Sequence, residues 1–171
     1  MTTFVTSQMA GVNFAANDTT PAFTPGTMCY ASDGSIAMYV PATSTIGQYN
    51  FCIIINTSSA AGASVGCVPV TTTNALTSQR LAVAQVAITG PVAGVGAVQY
   101  GWVFLSGNNL QGNYLGQPAA PVYTTATAGL LSDTKVTAGY CLGVVAMTSA
   151  ASASTVPVVM GFSVIRTWGG A

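Results

Sequence analysis

The chain has 171 residues, enough for one domain with a sizeable core, and half of them are hydrophobic. Only six are formally charged: Arg80, Lys135, Arg166, Asp18, Asp33 and Asp133, with neither Glu nor His anywhere. That set excludes the basic stripe that nucleic-acid binding requires, and it leaves no acid–base pair of the usual kind. Soluble domains ordinarily carry about a quarter charged residues, and 4% here means that Thr, Ser, Gly, Asn and Gln have taken their place. A net charge of zero favours association. The composition therefore predicts a chain whose outer faces are covered by its own copies or by a larger partner.

Residues 1–27 show no sustained period. Phe4, Phe14 and Phe23 are spread among polar residues, and Pro21 and Pro25 exclude a helix. This reads as an extended N-terminal arm, with a frayed terminus as the alternative. Three aromatics in a polar arm point to docking on a neighbour, so Phe4, Phe14 and Phe23, with Trp168 at the other end, are the candidate partner contacts. On that reading, removing residues 1–25 weakens binding to the partner and leaves the fold intact.

Residues 28–171 read as one all-β domain. Met28–Ala31 and Ile36–Val40 flank Ser32-Asp33-Gly34-Ser35, and Asp-Gly between apolar runs predicts a hairpin. Tyr49–Ile55 is continuously apolar, as in a strand buried on both faces. Residues 57–64 form a small-residue loop. Val65–Val70, interrupted by Pro69, suits an edge strand. Thr73 or Asn74 is placed to cap one helical turn before a strand over Arg80–Ile88. The apolar stretch Leu81–Val98 does not read as a membrane span, because Gln85, Thr89 and Gly90-Pro91 interrupt it.

Val98–Leu105 predicts a strong strand with Tyr100 and Trp102 on one face. Ser106–Pro118, with Gly107-Asn108-Asn109 and Gly112-Asn113, has turn chemistry throughout. Pro121–Thr125 is a short strand and Ala128–Thr137 a polar turn region. Tyr140–Met147 and Thr155–Arg166 close the domain around a 148–154 loop, with a bulge at Gly161. About nine short strands predict a single compact barrel or sandwich, a jelly roll among the closures.

No constellation for catalysis stands out. Each Asp sits in a turn-like context, where local backbone hydrogen bonding is its ordinary role. Neither a metal site nor a cofactor loop is recognisable: the Gly90–Gly96 run has no Lys, and no acidic residues cluster. Cys29, Cys52, Cys67 and Cys141 sit in apolar runs without metal-ligand spacing, as reduced buried thiols do, while the even count leaves a disulfide pair open. The N-terminal residues lack a basic segment followed by an apolar one, so a secretory signal is not read there.

One pattern goes further. Gln99–Val103 (Q-Y-G-W-V) is followed by A-P-V-Y-T-T-A-T-A-G-L-L-S-D at Ala120–Asp133. Then come G-V-V-A-M-T-S-A at Gly143–Ala150 and T-V-P-V-V-M at Thr155–Met160. Over roughly residues 80–166 this resembles the small head proteins of tailed bacteriophages, the decoration or cement proteins on the capsid exterior. The resemblance is one of strands and turns, without a chemical signature. It implies a virion structural protein, not an enzyme, that needs no cofactor. Such a protein is made in the host cytoplasm, self-associates as a homotrimer and binds the major capsid protein, with no nucleic-acid or membrane partner. Two alternatives remain open on the residues. One is a receptor- or glycan-binding, or fibre-anchoring, head protein using Trp102, Trp168 or Tyr114 as a stacking platform. The other is an internal or tail component.

Overall fold

A computed structural model of the chain describes residues 12–56, 65–76, 79–91, 97–136 and 139–166. The described residues contain ten strands and no helix. In chain order these are β1 (Met28–Tyr30), β2 (Ile36–Pro41), β3 (Phe51–Ile55), β4 (Gly66–Pro69), β5 (Leu81–Ala84), β6 (Tyr100–Gly116), β7 (Val122–Thr124), β8 (Leu131–Ser132), β9 (Tyr140–Ala146) and β10 (Ala150–Arg166). The all-β expectation holds.

The pairings close on themselves twice, and β6 belongs to both circuits. From β6 the ladder runs to β10, β9, β7 and β8 and returns to β6, through one short parallel pairing at Tyr114↔Leu131 and Leu115↔Ser132. The other circuit runs from β6 through β5 and β3 to β4. A single bridge, Ala42↔Cys67, carries it on to the end of β2, which pairs with β6 again.

This double closure explains why so many strands are apolar on both faces. Met38, Val40, Cys52, Cys67, Ala82, Ala84, Val103 and Leu105 point into the second circuit and form its core. Their alternates, Ala37, Tyr39, Phe51, Ile53, Leu81, Val83, Trp102 and Phe104, join the larger core with Leu110, Tyr114, Val158 and Ile165. A period of two with both faces buried produces an unbroken apolar run. β2 and β5 are accordingly buried at every position.

The long strand β6 corrects one expectation. Ser106–Pro118 is strand through Gly116, and its turn residues serve as a bulge instead. Val158 faces Leu110 and Met160 faces Gly107, so Asn108 and Asn109 are both spanned by Val159 alone and lie exposed. Here β6 bends away from β2 and β5 and takes β10 as its partner. The Gln85 side chain fills the gap left where β5 ends: its Nε2 donates to the Gln111 carbonyl at 2.8 Å, and its Oε1 accepts from the Gln111 N–H at 3.1 Å.

Other boundaries also move. β10 begins at Ala150 rather than Thr155, and β8 lies inside the region expected to be a polar turn. Residues 71–75 form a single turn, in which Asn74 Oδ1 accepts from the Thr71 N–H and Thr71 Oγ1 from the Asn74 N–H. β5 ends at Ala84, and residue 88 keeps only a bridge to Ile46. The expected edge strand is β4, and the expected hairpin is β1–β2 with Gly34 at φ 82 in its turn.

The arm is spent on its own sheet. Phe14 is 3% exposed and meets Trp102 edge-on at 5.4 Å. Phe23 lies edge-on to Tyr39 at 5.3 Å and to Trp102 at 5.4 Å. Asp18 and Tyr100 exchange backbone hydrogen bonds of 2.9 and 2.8 Å. The Tyr39 hydroxyl donates to Asp18 Oδ2 at 2.6 Å and accepts from the Ala22 N–H at 3.1 Å. Phe14 and Phe23, expected as partner contacts, pack instead against this chain's own core, Phe14 buried and Phe23 half-buried. They roof the outer side of β2 and β6, which would otherwise present Tyr39 and Trp102 to water. Phe4 and Trp168 lie outside the described residues. Removing residues 12–25 would take Phe14 and Phe23 away from this core.

Two outcomes follow. A Cβ at Gly112 stands 2.4 Å from the Phe51 ring, so Gly112→Ala destabilises the chain by about 1–3 kcal/mol. In thermal unfolding this reads as a drop of roughly 2–4 °C per kcal/mol. Burial and then the Asp18 hydrogen bond push the Tyr39 phenol up to about 12. Because the folded state raises this value, its contribution is intact below pH about 10 and is lost as pH climbs through about 12. Trp102 fluorescence followed over that window reports the arm lifting, and Tyr39→Phe flattens the transition.

Candidate functional site

The described residues hold no group of three or more His, Cys, Asp or Glu placed to bind a metal ion. The three carboxylates act locally and apart. Asp18 accepts from Tyr39, Asp33 Oδ1 from the Ser35 N–H at 2.9 Å, and Asp133 Oδ2 from the Gln117 N–H at 2.9 Å. No pair of them converges to share a proton or flank a substrate. Burial raises the Cys141 thiol to about 12 and the Cys67 thiol well above its ordinary value, the reverse of what a nucleophile needs. No helix is long and apolar enough to cross a membrane among the described residues.

What the structure does present is a wall. β7, β9 and β10 are consecutive in the first circuit, with Tyr123 opposite Tyr140, Leu142 opposite Val164 and Val145 opposite Val159. Inward alternates such as Cys141, Val144, Ala146, Val158 and Ile165 are buried, so these pairs face out. Tyr123 and Tyr140 touch with ring centroids 5.5 Å apart. Val145 is 40% exposed, Met147 54% and Phe162 48%. Along β7, β9 and β10 the one charged residue is Arg166, opposite Tyr140 at the end of the ladder.

Phe162 is held there by a specific device. Between Met160↔Val144 and Val164↔Leu142 the ladder slips, and Gly161, Phe162 and Ser163 lie opposite Gly143. Gly143 sits at φ 79, where a side chain is strained, and a Cβ there would approach the Gly161 carbonyl at 3.0 Å. The buried Ser163 hydroxyl donates to the Gly143 carbonyl at 2.8 Å and closes the bulge. Phe162 itself has φ 49. An aromatic residue in the left-handed region costs about 1 kcal/mol or more, and Phe162 is left about half-exposed.

The sequence reading missed this face. Its signal was present in Tyr140–Met147, where both alternating sets are apolar although only one can point inward. The residues singled out as stacking platforms fare differently. Trp102 is 3% exposed beneath Phe14 and Phe23, and Tyr114 is 1% exposed with its hydroxyl donating to the Gln117 carbonyl at 2.8 Å. Neither is open to a sugar ring. Comparison with known proteins finds no matching family model, no similar curated protein and no similar solved structure.

Proposed function

We propose that this chain is a virion structural protein that decorates and reinforces the outside of a phage capsid. It does so by associating with its own copies as a homotrimer and by binding the major capsid protein, without catalysis. The observation that carries the assembly part of this reading is the outward wall of β7, β9 and β10, strands that hold a single charge, with Val145 and the strained Phe162 exposed on it and Met147 exposed just past the end of β9. Exposed apolar residues gathered on one face mark protein contact rather than a solvent-facing surface. The capsid setting rests on the strand-and-turn resemblance of residues 80–166. A glycan-binding head protein is supported less well, because Trp102 and Tyr114 are buried.

Sedimentation of the purified chain, together with co-sedimentation on assembled heads, tests the proposal. The wild type is expected to form a discrete oligomer that persists at high salt, since little of the contact is ionic. Val145→Asp places an unpaired charge in the interface and weakens association more than tenfold, while thermal unfolding of the isolated chain changes little. Phe162→Gly relieves the left-handed strain, so it holds or raises monomer stability by about 1 kcal/mol while weakening assembly. A wild-type chain that remains monomeric at high concentration and ignores capsids overturns the proposal.

A further inference from the structure

We propose that Cys52 and Cys67 form a latent disulfide site, open while the chain is in a reducing compartment and closed by thiol–disulfide exchange with a low-molecular-weight disulfide such as oxidised glutathione. The two residues lie on adjacent antiparallel strands, with Cys52 opposite Pro69 and Ile54 opposite Cys67. They are therefore diagonal neighbours on the same face, both fully buried in the core of the second circuit. Both thiols are free, and the Cys67 thiol donates to the Pro41 carbonyl at 3.6 Å. Cys141 belongs to the other core, and Cys29 is half-buried on β1.

Diagonal neighbours on paired strands stand about 7–8 Å apart at Cα, whereas a disulfide spans about 4.4–6.8 Å. Closing the bond needs β4 to shift by roughly 1 Å along β3. β4 is the element able to do so. It has four residues, carries Pro69, and pairs with β3 on one side and with only the Ala42 bridge on the other. Burial keeps both thiols away from reagents in the closed protein, so exchange proceeds when this edge opens. One Cys thiolate then attacks the small disulfide and expels a thiol. The second Cys thiolate attacks the mixed disulfide and expels the other. Two protein thiols are thereby oxidised, and one small disulfide is reduced to two thiols.

The bond ties β4 to β3 across the segment between residues 52 and 67, clasping the edge at which the second circuit closes most weakly. This chemistry does not depend on the assembly reading, because the pair lies in the core of the other circuit, apart from the β7–β9–β10 wall. Either proposal therefore fails alone.

The test incubates the full chain with oxidised glutathione at mildly alkaline pH in sub-denaturing urea, followed by thiol titration and non-reducing peptide mapping. Free thiols are expected to fall from four to two, with a single Cys52–Cys67 cross-linked peptide. The melting temperature is expected to rise on the order of 5 °C, and the rise is reversed by dithiothreitol. Cys141→Ser retains the cross-link, and Cys67→Ser loses it. Four thiols persisting, a map joining other cysteines, or a lowered melting temperature on oxidation would each overturn the proposal.

Discussion

The constraint on which the rest depends is that one strand, β6, serves two closed circuits. Its first half pairs with β2 and β5 and its second half with β10 and β8. A strand shared in this way has no solvent face over much of its length, and Gly101–Leu105 is buried throughout. The same demand passes to its partners, so β2, β3 and β5 must be apolar on both sides. Burial of one large apolar side chain is worth about 1.5–3 kcal/mol, and two cores built on common strands multiply such positions without lengthening the chain. Backbone groups left over at the junction are then satisfied by neutral amides. Gln85 on Gln111 is one case. Another is Asn113, whose Nδ2 donates to the Gln48 carbonyl at 3.4 Å.

Much of this was legible in the sequence where a single local rule governed it. The β1–β2 hairpin follows from Asp33-Gly34, the edge position of β4 from Pro69, and the two-faced burial of β3 from its unbroken apolar run. Legibility failed where two rules competed. Gly107-Asn108-Asn109 is turn chemistry by composition, yet a bulge uses the same backbone freedom, and only the registers with β2 and β10 decide between them. Ala151–Ser154 has too little β propensity to read as strand, and it is held in β10 by pairing around Ser154–Val156 with β6. The arm aromatics illustrate a deeper limit. Phe14 and Phe23 were rightly seen to need cover, but a neighbour's surface and the chain's own sheet satisfy that need equally, and sequence alone does not distinguish them.

Covering the β2–β6 side with the arm has a consequence for assembly. It covers Trp102 and leaves the β7–β9–β10 wall as an apolar face that no segment among the described residues shields. The two surfaces differ in how their aromatics are held. Phe14 and Phe23 lie edge-on to other rings, as core residues do. Phe162 is forced outward by a bulge whose geometry needs Gly143 and is locked by Ser163. A chain under selection for stability alone has no use for that arrangement, since a plain continuation of the β9–β10 ladder avoids the strain.

The scarcity of charge then acquires a reason beyond solubility. An ion taken into an interface must be paired with good geometry or it costs several kcal/mol, approximately, whereas a hydroxyl costs far less and finds a partner more easily. Next to the apolar wall, β10 carries the exposed Ala151–Thr155, a run of small residues and hydroxyls without an ion. Such a surface would strand no charge against a neighbour of the kind proposed above. It also tolerates water when no neighbour is present, through its Ser and Thr hydroxyls. On the assembly proposed above, the apolar wall would supply the attraction and the neutral flank the tolerance.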